Sequence, residues 1–95
     1  MLFFVLKLLS LFSLTVVAAT LVIDINDRNV RQVLREHRYI SIVFYAKWCQ
    51  YCSQMRQDYE SAARDLQKKG ISLGAVNGPK NRKLLKRFGV NKYPT

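Results

Sequence analysis

Cys49 and Cys52 stand with two residues between them and are the two cysteines of this 95-residue chain. A disulfide across so short a loop removes little entropy from the unfolded chain, so it is a weak staple. Small scaffolds held by disulfides usually carry about four to eight cysteines. Redox chemistry accounts better for the spacing. A thiolate attacks a disulfide of another molecule, and a second thiol one helical turn away can displace the mixed disulfide that results. Only the thiolate is the nucleophile, so the first sulfur needs surroundings that favour its charge. Two other readings use the same residues. One is a plain structural disulfide. The other is half of a metal site, but zinc normally takes four ligands. Beyond the cysteines only His37 offers a nitrogen, and no second CxxC is present, so a metal would have to be shared between two chains. His37 itself reads as a helix-face or interface residue.

The elements around the pair explain why Cys49 would be the activated sulfur. Tyr39 to Ala46 is almost continuously apolar and rich in β-branched and aromatic residues, which predicts a central parallel strand buried on both faces. Cys49 to Lys69 follows, with Cys52, Met55, Tyr59, Ala62, Ala63 and Leu66 at three- and four-residue steps, the period of a helix face. Cys49 therefore falls where a strand ends and a helix begins. In parallel α/β sheets that is where ligands and chemistry gather. A thiolate there gains from the helix N-terminal partial charge and from N–H groups that lack helical partners.

The rest of the chain continues the alternation. Leu21 to Ile23 reads as a first strand, with Asn26 or Asp27 as a capping residue before a helix over Asn29 to Arg38. Gly70 is a helix-ending residue. Ile71 to Val76 reads as a third strand. Asn77-Gly78-Pro79 forms a turn with Pro placed to open the next helix. That helix runs Lys80 to Phe88 with Leu84, Leu85 and Phe88 inward and Gly89 as its stop, and Val90 to Thr95 is extended. The order β-α-β-α-β-α predicts an α/β fold with a three-strand parallel sheet and right-handed crossovers. No internal repeat, low-complexity tract or linker interrupts it.

Before this domain, Met1 to Ala19 is apolar except for Lys7, Ser10, Ser13 and Thr15, and it ends in Val17-Ala18-Ala19. That pattern predicts a signal peptide over 1–19, cleaved before Thr20. A retained membrane anchor is the alternative, so membrane contact is expected only if the segment is uncleaved. The remaining 76 residues, Thr20 to Thr95, carry 15 Lys and Arg against 6 Asp and Glu, a formal charge of +9. Such a charge favours acidic partners. The basic residues are dispersed along helices without interleaved stacking aromatics, so nucleic acid is not expected as a partner.

Two segments resemble a known family. Phe44-Tyr45-Ala46-Lys47-Trp48-Cys49-Gln50-Tyr51-Cys52 resembles the thioredoxin-superfamily signature, most closely in its protein disulfide isomerase version. Phe88-Gly89-Val90-Asn91-Lys92-Tyr93-Pro94-Thr95 resembles the family's second signature, which ends in a cis-proline. The resemblance implies a thioredoxin-like fold with Cys49 as attacking and Cys52 as resolving thiol. It implies that Trp48, Tyr93, Pro94 and Thr95 lie beside the site and bind extended client chain, with Pro94 cis. The activity it implies is thiol–disulfide oxidoreductase or isomerase action on client proteins in the lumen of the endoplasmic reticulum. No metal or small cofactor is implied, and redox equivalents would come from glutathione or a partner oxidase.

Three departures from the family pattern are visible. Gln50-Tyr51 stands where the family usually has Gly-His, which predicts a less stabilised Cys49 thiolate and a less oxidising site. Val43 stands where the family commonly buries a carboxylate that moves protons to and from the resolving thiol, which predicts slower turnover. The sequence stops at Thr95, before the family's final β-hairpin and helix. That predicts an incomplete domain, a fragment or truncation, with Tyr39 to Ala46 left as an apolar sheet edge. A second functional reading follows, a redox-inactive, chaperone-like module holding unfolded chains. A third is a membrane-anchored thioredoxin-like protein.

Overall fold

The computed structural model describes residues 21–95; the expected signal peptide over 1–19 and its cleavage point before Thr20 lie outside them. Six elements and a short turn follow one another: β1 (Ile23–Ile25), α1 (Val30–Glu36), β2 (Ile40–Tyr45), α2 (Gln50–Gln67), β3 (Ser72–Asn77), a 3₁₀ turn (Gly78–Lys80) and α3 (Arg82–Phe88). The strands are all parallel, in the order β1-β3-β2, with Ile23 opposite Gly74 and Ile40 opposite Ser72. The expected β-α-β-α-β-α succession is present.

Strand alternation divides the hydrophobic residues between two layers. Ile25, Phe44 and Val76 pack with Val30 and Val33 of α1 and Leu84 of α3 into one buried cluster. Leu73 and, on α2, Ala63 are also buried. The phenol of Tyr59, on α2, donates to the Gly74 carbonyl at 2.7 Å, with the Ser41 carbonyl at 3.2 Å. Burial pushes its pKa up, more than hydrogen bonding lowers it.

Several expectations need correction. The strand expected over Tyr39–Ala46 is observed, shorter, over Ile40–Tyr45; the apolar run by itself suits a central strand, but the segment lies at the margin of the three described strands, as expected for it without a final β-hairpin, and β3 is the centre. An apolar run reports what covers the two faces of a strand, not what lies beside it, so it does not distinguish the two positions. On its outer side, Phe44 exchanges backbone hydrogen bonds with Thr95, at 2.7 and 3.1 Å. The first strand begins two residues later than expected, because Ile23 and Ile25 are the residues that alternate into the core, whereas Leu21 is exposed. Phe88 is only partly inward: it is 45% exposed, while its ring meets that of Phe44 with centroids 5.7 Å apart.

The capping residues also divide differently. Asn26 Oδ1 accepts from the N–H groups of Arg28 and Asn29, and holds the turn before α1. Asp27 serves another helix: its Oδ1 accepts from Leu84 N–H at 3.1 Å, in the first turn of α3. In return, Asn81 Oδ1 accepts from Asp27 N–H at 3.0 Å, and Asn81 Nδ2 donates to the Asn77 carbonyl at 2.9 Å. Asn81 is buried and uses both ends of its amide, so this exchange fixes the start of α3 against the β1–α1 loop. Pro79 opens only the 3₁₀ turn, and α3 begins at Arg82. Gly89 ends α3 in the left-handed region at φ 64°, a backbone conformation that costs glycine nothing.

Candidate active site

β2 ends at Tyr45, and the chain turns through Lys47 and Trp48 to reach α2. Cys49 is the N-cap of α2, with extended backbone at φ −79° and ψ 113°. An N-cap residue has its side chain aimed at the orphan N–H groups of the first turn. Here that side chain is a sulfur: the N–H of Cys52 donates to Cys49 Sγ at 3.2 Å. The first turn of α2 holds no acidic residue to oppose a negative sulfur.

Cys49 and Cys52 are joined as a disulfide with their Cα atoms 5.2 Å apart. They are 6% and 8% exposed and form a small cluster with Ala46, against which Tyr45 and Tyr93 pack. Trp48 and Tyr51, by contrast, are each 75% exposed and flank the pair on the outside.

The second segment named by the sequence comes to the same place. The Tyr93–Pro94 peptide bond is cis. Tyr93 touches both the disulfide cluster and the main core, and its ring meets Trp48 edge-on with centroids 5.7 Å apart. Thr95 is held by its backbone exchange with Phe44, and its hydroxyl donates to the Lys92 carbonyl at 2.6 Å. The two signature segments, distant in sequence, are therefore packed together around the sulfurs.

Gly78 is a part of this arrangement that the sequence marks only as a turn residue. The Tyr93 ring lies against it, and a Cβ at that position would collide with the ring. The signal is present in Asn77-Gly78-Pro79, but nothing in sequence spacing ties Gly78 to Tyr93.

Behind the disulfide lies a cavity of about 550 Å3, lined by Val43, Ala46, Cys52, Met55 and Tyr59 among others. Strand register places Val43, Ala75 and Asp24 in one row across the sheet, and all three line this cavity. The β2 position in that row is thus a valine, and Asp24 stands two strands away.

His37 is not part of the site. It caps the C-terminus of α1, and its Nδ1 lies 3.0 Å from Ser72 Oγ at the start of β3, at the opposite end of the sheet from Cys49. Among the described residues, no three His, Cys, Asp or Glu side chains converge as a metal would require.

Comparison with known proteins agrees with this geometry. A family model described as Thioredoxin matches residues 21–95. Protein disulfide-isomerase A2 of Homo sapiens is 41% identical over 64 residues, covering 65% of this chain and 12% of its own. Protein disulfide-isomerase of Gallus gallus is 36% identical over 76 residues, covering 78% of this chain and 15% of its own. The solution structure of the first thioredoxin domain of mouse protein disulfide-isomerase A4 superposes with a TM-score of 0.75 at 28% identity, over 81% of this chain and 56% of that one. The chain spans only 12% to 15% of the length of such curated relatives.

Proposed function

The chain belongs to the thioredoxin family, and from that premise we propose that it is a thiol–disulfide oxidoreductase of the protein disulfide isomerase kind, acting on client proteins in the endoplasmic reticulum lumen. Cys49 is the attacking sulfur. In the reducing direction its thiolate bonds to one sulfur of a client disulfide and expels the other as a thiolate. Cys52 then attacks Cys49 Sγ, closes the Cys49–Cys52 disulfide and expels the second client thiolate, so two electrons pass from protein to client. In the oxidising direction the same steps run backwards, and the disulfide seen here accepts two electrons from a client dithiol. The paired thiols carry the electrons themselves, so no metal or separate cofactor enters; glutathione or a partner oxidase resets them. Trp48, Tyr93, Pro94 and Thr95 hold the extended client beside the sulfurs.

The observation that carries the proposal is the hydrogen bond from Cys52 N–H to Cys49 Sγ at the head of a helix of 18 residues. A negative sulfur gains there what a neutral one does not. Insulin reduction and reactivation of scrambled ribonuclease test it. The chain should catalyse both, and Cys49→Ser should abolish both; full activity in Cys49→Ser overturns the proposal. The exposed Trp48 and Tyr51 also favour a chaperone-like role in holding unfolded chains. Protection of an aggregating client that survives Cys49→Ser unchanged would assign the chain to that second role. Residence in the secretory pathway is tested by N-terminal sequencing of secreted material, with Thr20 expected as the first residue.

A further inference from the structure

We propose, resting on the redox reading above, that the site selects clients whose disulfide is flanked by acidic residues, and that a basic groove beside Tyr93 makes the selection. The groove has a volume of about 690 Å3 and runs between α3 and the segment leading to the cis-proline. Pro79, Leu85, Val90 and Tyr93 supply apolar lining, and Arg82 and Lys86 supply its cations. Tyr93 also touches the disulfide cluster, so the groove and the dithiol share one side chain.

The charge distribution fits one kind of occupant. Residues 37–57, which form β2 and the start of α2, contain three Lys or Arg and no Asp or Glu. Residues 66–95, which supply the groove and the cis-proline segment, contain eight Lys or Arg and no Asp or Glu. Arg82, Lys86, Lys47 and Lys92 are all exposed. The acidic residues lie elsewhere, and several are occupied: Asp27 accepts from the α3 backbone, Glu36 pairs with Gln32, and Glu60 pairs with Arg56. The groove's own lining carries Arg82 and Lys86 and no acidic side chain, and although the Asp27 carboxylate at the start of α3 offsets part of their charge, the excess of Lys and Arg around it keeps the field over the groove positive. Such a field speeds encounters with opposite charge and slows those with like charge, and it weakens with salt. The apolar lining also favours an aliphatic or aromatic side chain among the acids.

Two synthetic peptides with the same disulfide and the same aliphatic residues, one bearing Glu and one Lys near each cysteine, test the selection. The chain is reduced, freed of reductant and mixed with each in single turnover. The Glu peptide should react about tenfold faster at low ionic strength, and the ratio should fall towards one in high salt. Arg82→Glu/Lys86→Glu should bring the low-salt ratio to one or below, whereas Arg31→Glu/Arg35→Glu, an equal charge change on α1, should leave most of it. Equal rates for both peptides overturn the selection. An equal fall in ratio for both double variants overturns the groove as its source. A chain that reduces neither peptide nor an uncharged small disulfide fails the redox reading, a result distinct from both.

Discussion

The N–H of Cys52 points at Cys49 Sγ from 3.2 Å, so Cys52 supports its partner through the backbone while its own side chain stays buried. A mutation cannot remove this donor without replacing the residue by proline. Further support for a thiolate can come from the two intervening side chains, and these are where the chain departs from the pattern that its signature segment resembles.

Gln50 and Tyr51 bring no positive charge to the sulfur, and Tyr51 is directed into solvent, being 75% exposed. The double substitution Gln50→Gly/Tyr51→His adds a donor that can be cationic. The reduced form gains, so the site becomes more oxidising. Equilibration with glutathione should show a reduction potential raised by about 30 mV or more, a tenfold change in the equilibrium constant for this two-electron couple. An unchanged or lower potential contradicts the electrostatic account.

Val43 lines the cavity behind Cys52 and offers no carboxyl to take its proton. Val43→Glu places one there, in space already available. Positioned acid–base groups commonly contribute a hundredfold or more, and allowing for imperfect placement the mixed disulfide should resolve about tenfold faster. Stopped-flow release of a client thiol from the Cys49 adduct reads this step. No acceleration removes proton transfer to or from Cys52 as the limiting event.

Gly78 accommodates the ring that bridges Trp48 to the disulfide cluster. Gly78→Ala forces Tyr93 aside. Trp48 fluorescence should shift and insulin reduction should drop several-fold, with far-ultraviolet dichroism preserved. Full activity would show that Tyr93 is not needed where it stands.

Tyr59 ties α2 to the sheet through the Gly74 carbonyl. Tyr59→Phe should cost about 1 kcal/mol of stability in denaturant titration. Burial raises the phenol pKa, so its stabilising contribution is complete below the unfolded value of about 10 and is lost as pH rises through the folded one. The wild-type chain should therefore lose stability more steeply above that pH than Tyr59→Phe does. Parallel pH profiles would contradict this.

Much of the layout is legible because it is local. The α2 periodicity, the Cys49 position before it and the stop at Gly89 follow from spacing within one or two turns. The resemblance of the two signature segments also brings Tyr93 and Pro94 to the sulfurs, although strand and helix periods alone do not. What escapes the sequence is long-range. The apolarity of Ile40–Tyr45 does not say which strands lie beside it, because coverage above and below leaves the same trace as a central position. Asp27 looks like a cap for the helix that follows it and instead serves Leu84, 57 residues away. Gly78 looks like a turn residue and is also the seat of a ring from the far end of the chain.

The most direct measurement is alkylation of the reduced chain. With limiting iodoacetamide at neutral pH and peptide mapping, Cys49 should carry nearly all the label and react about tenfold or more faster than a cysteine in an unstructured peptide, while Cys52 stays protected. Labelling of Cys49 at the rate of the unstructured peptide, or of Cys52 first, would contradict an activated sulfur at the head of α2.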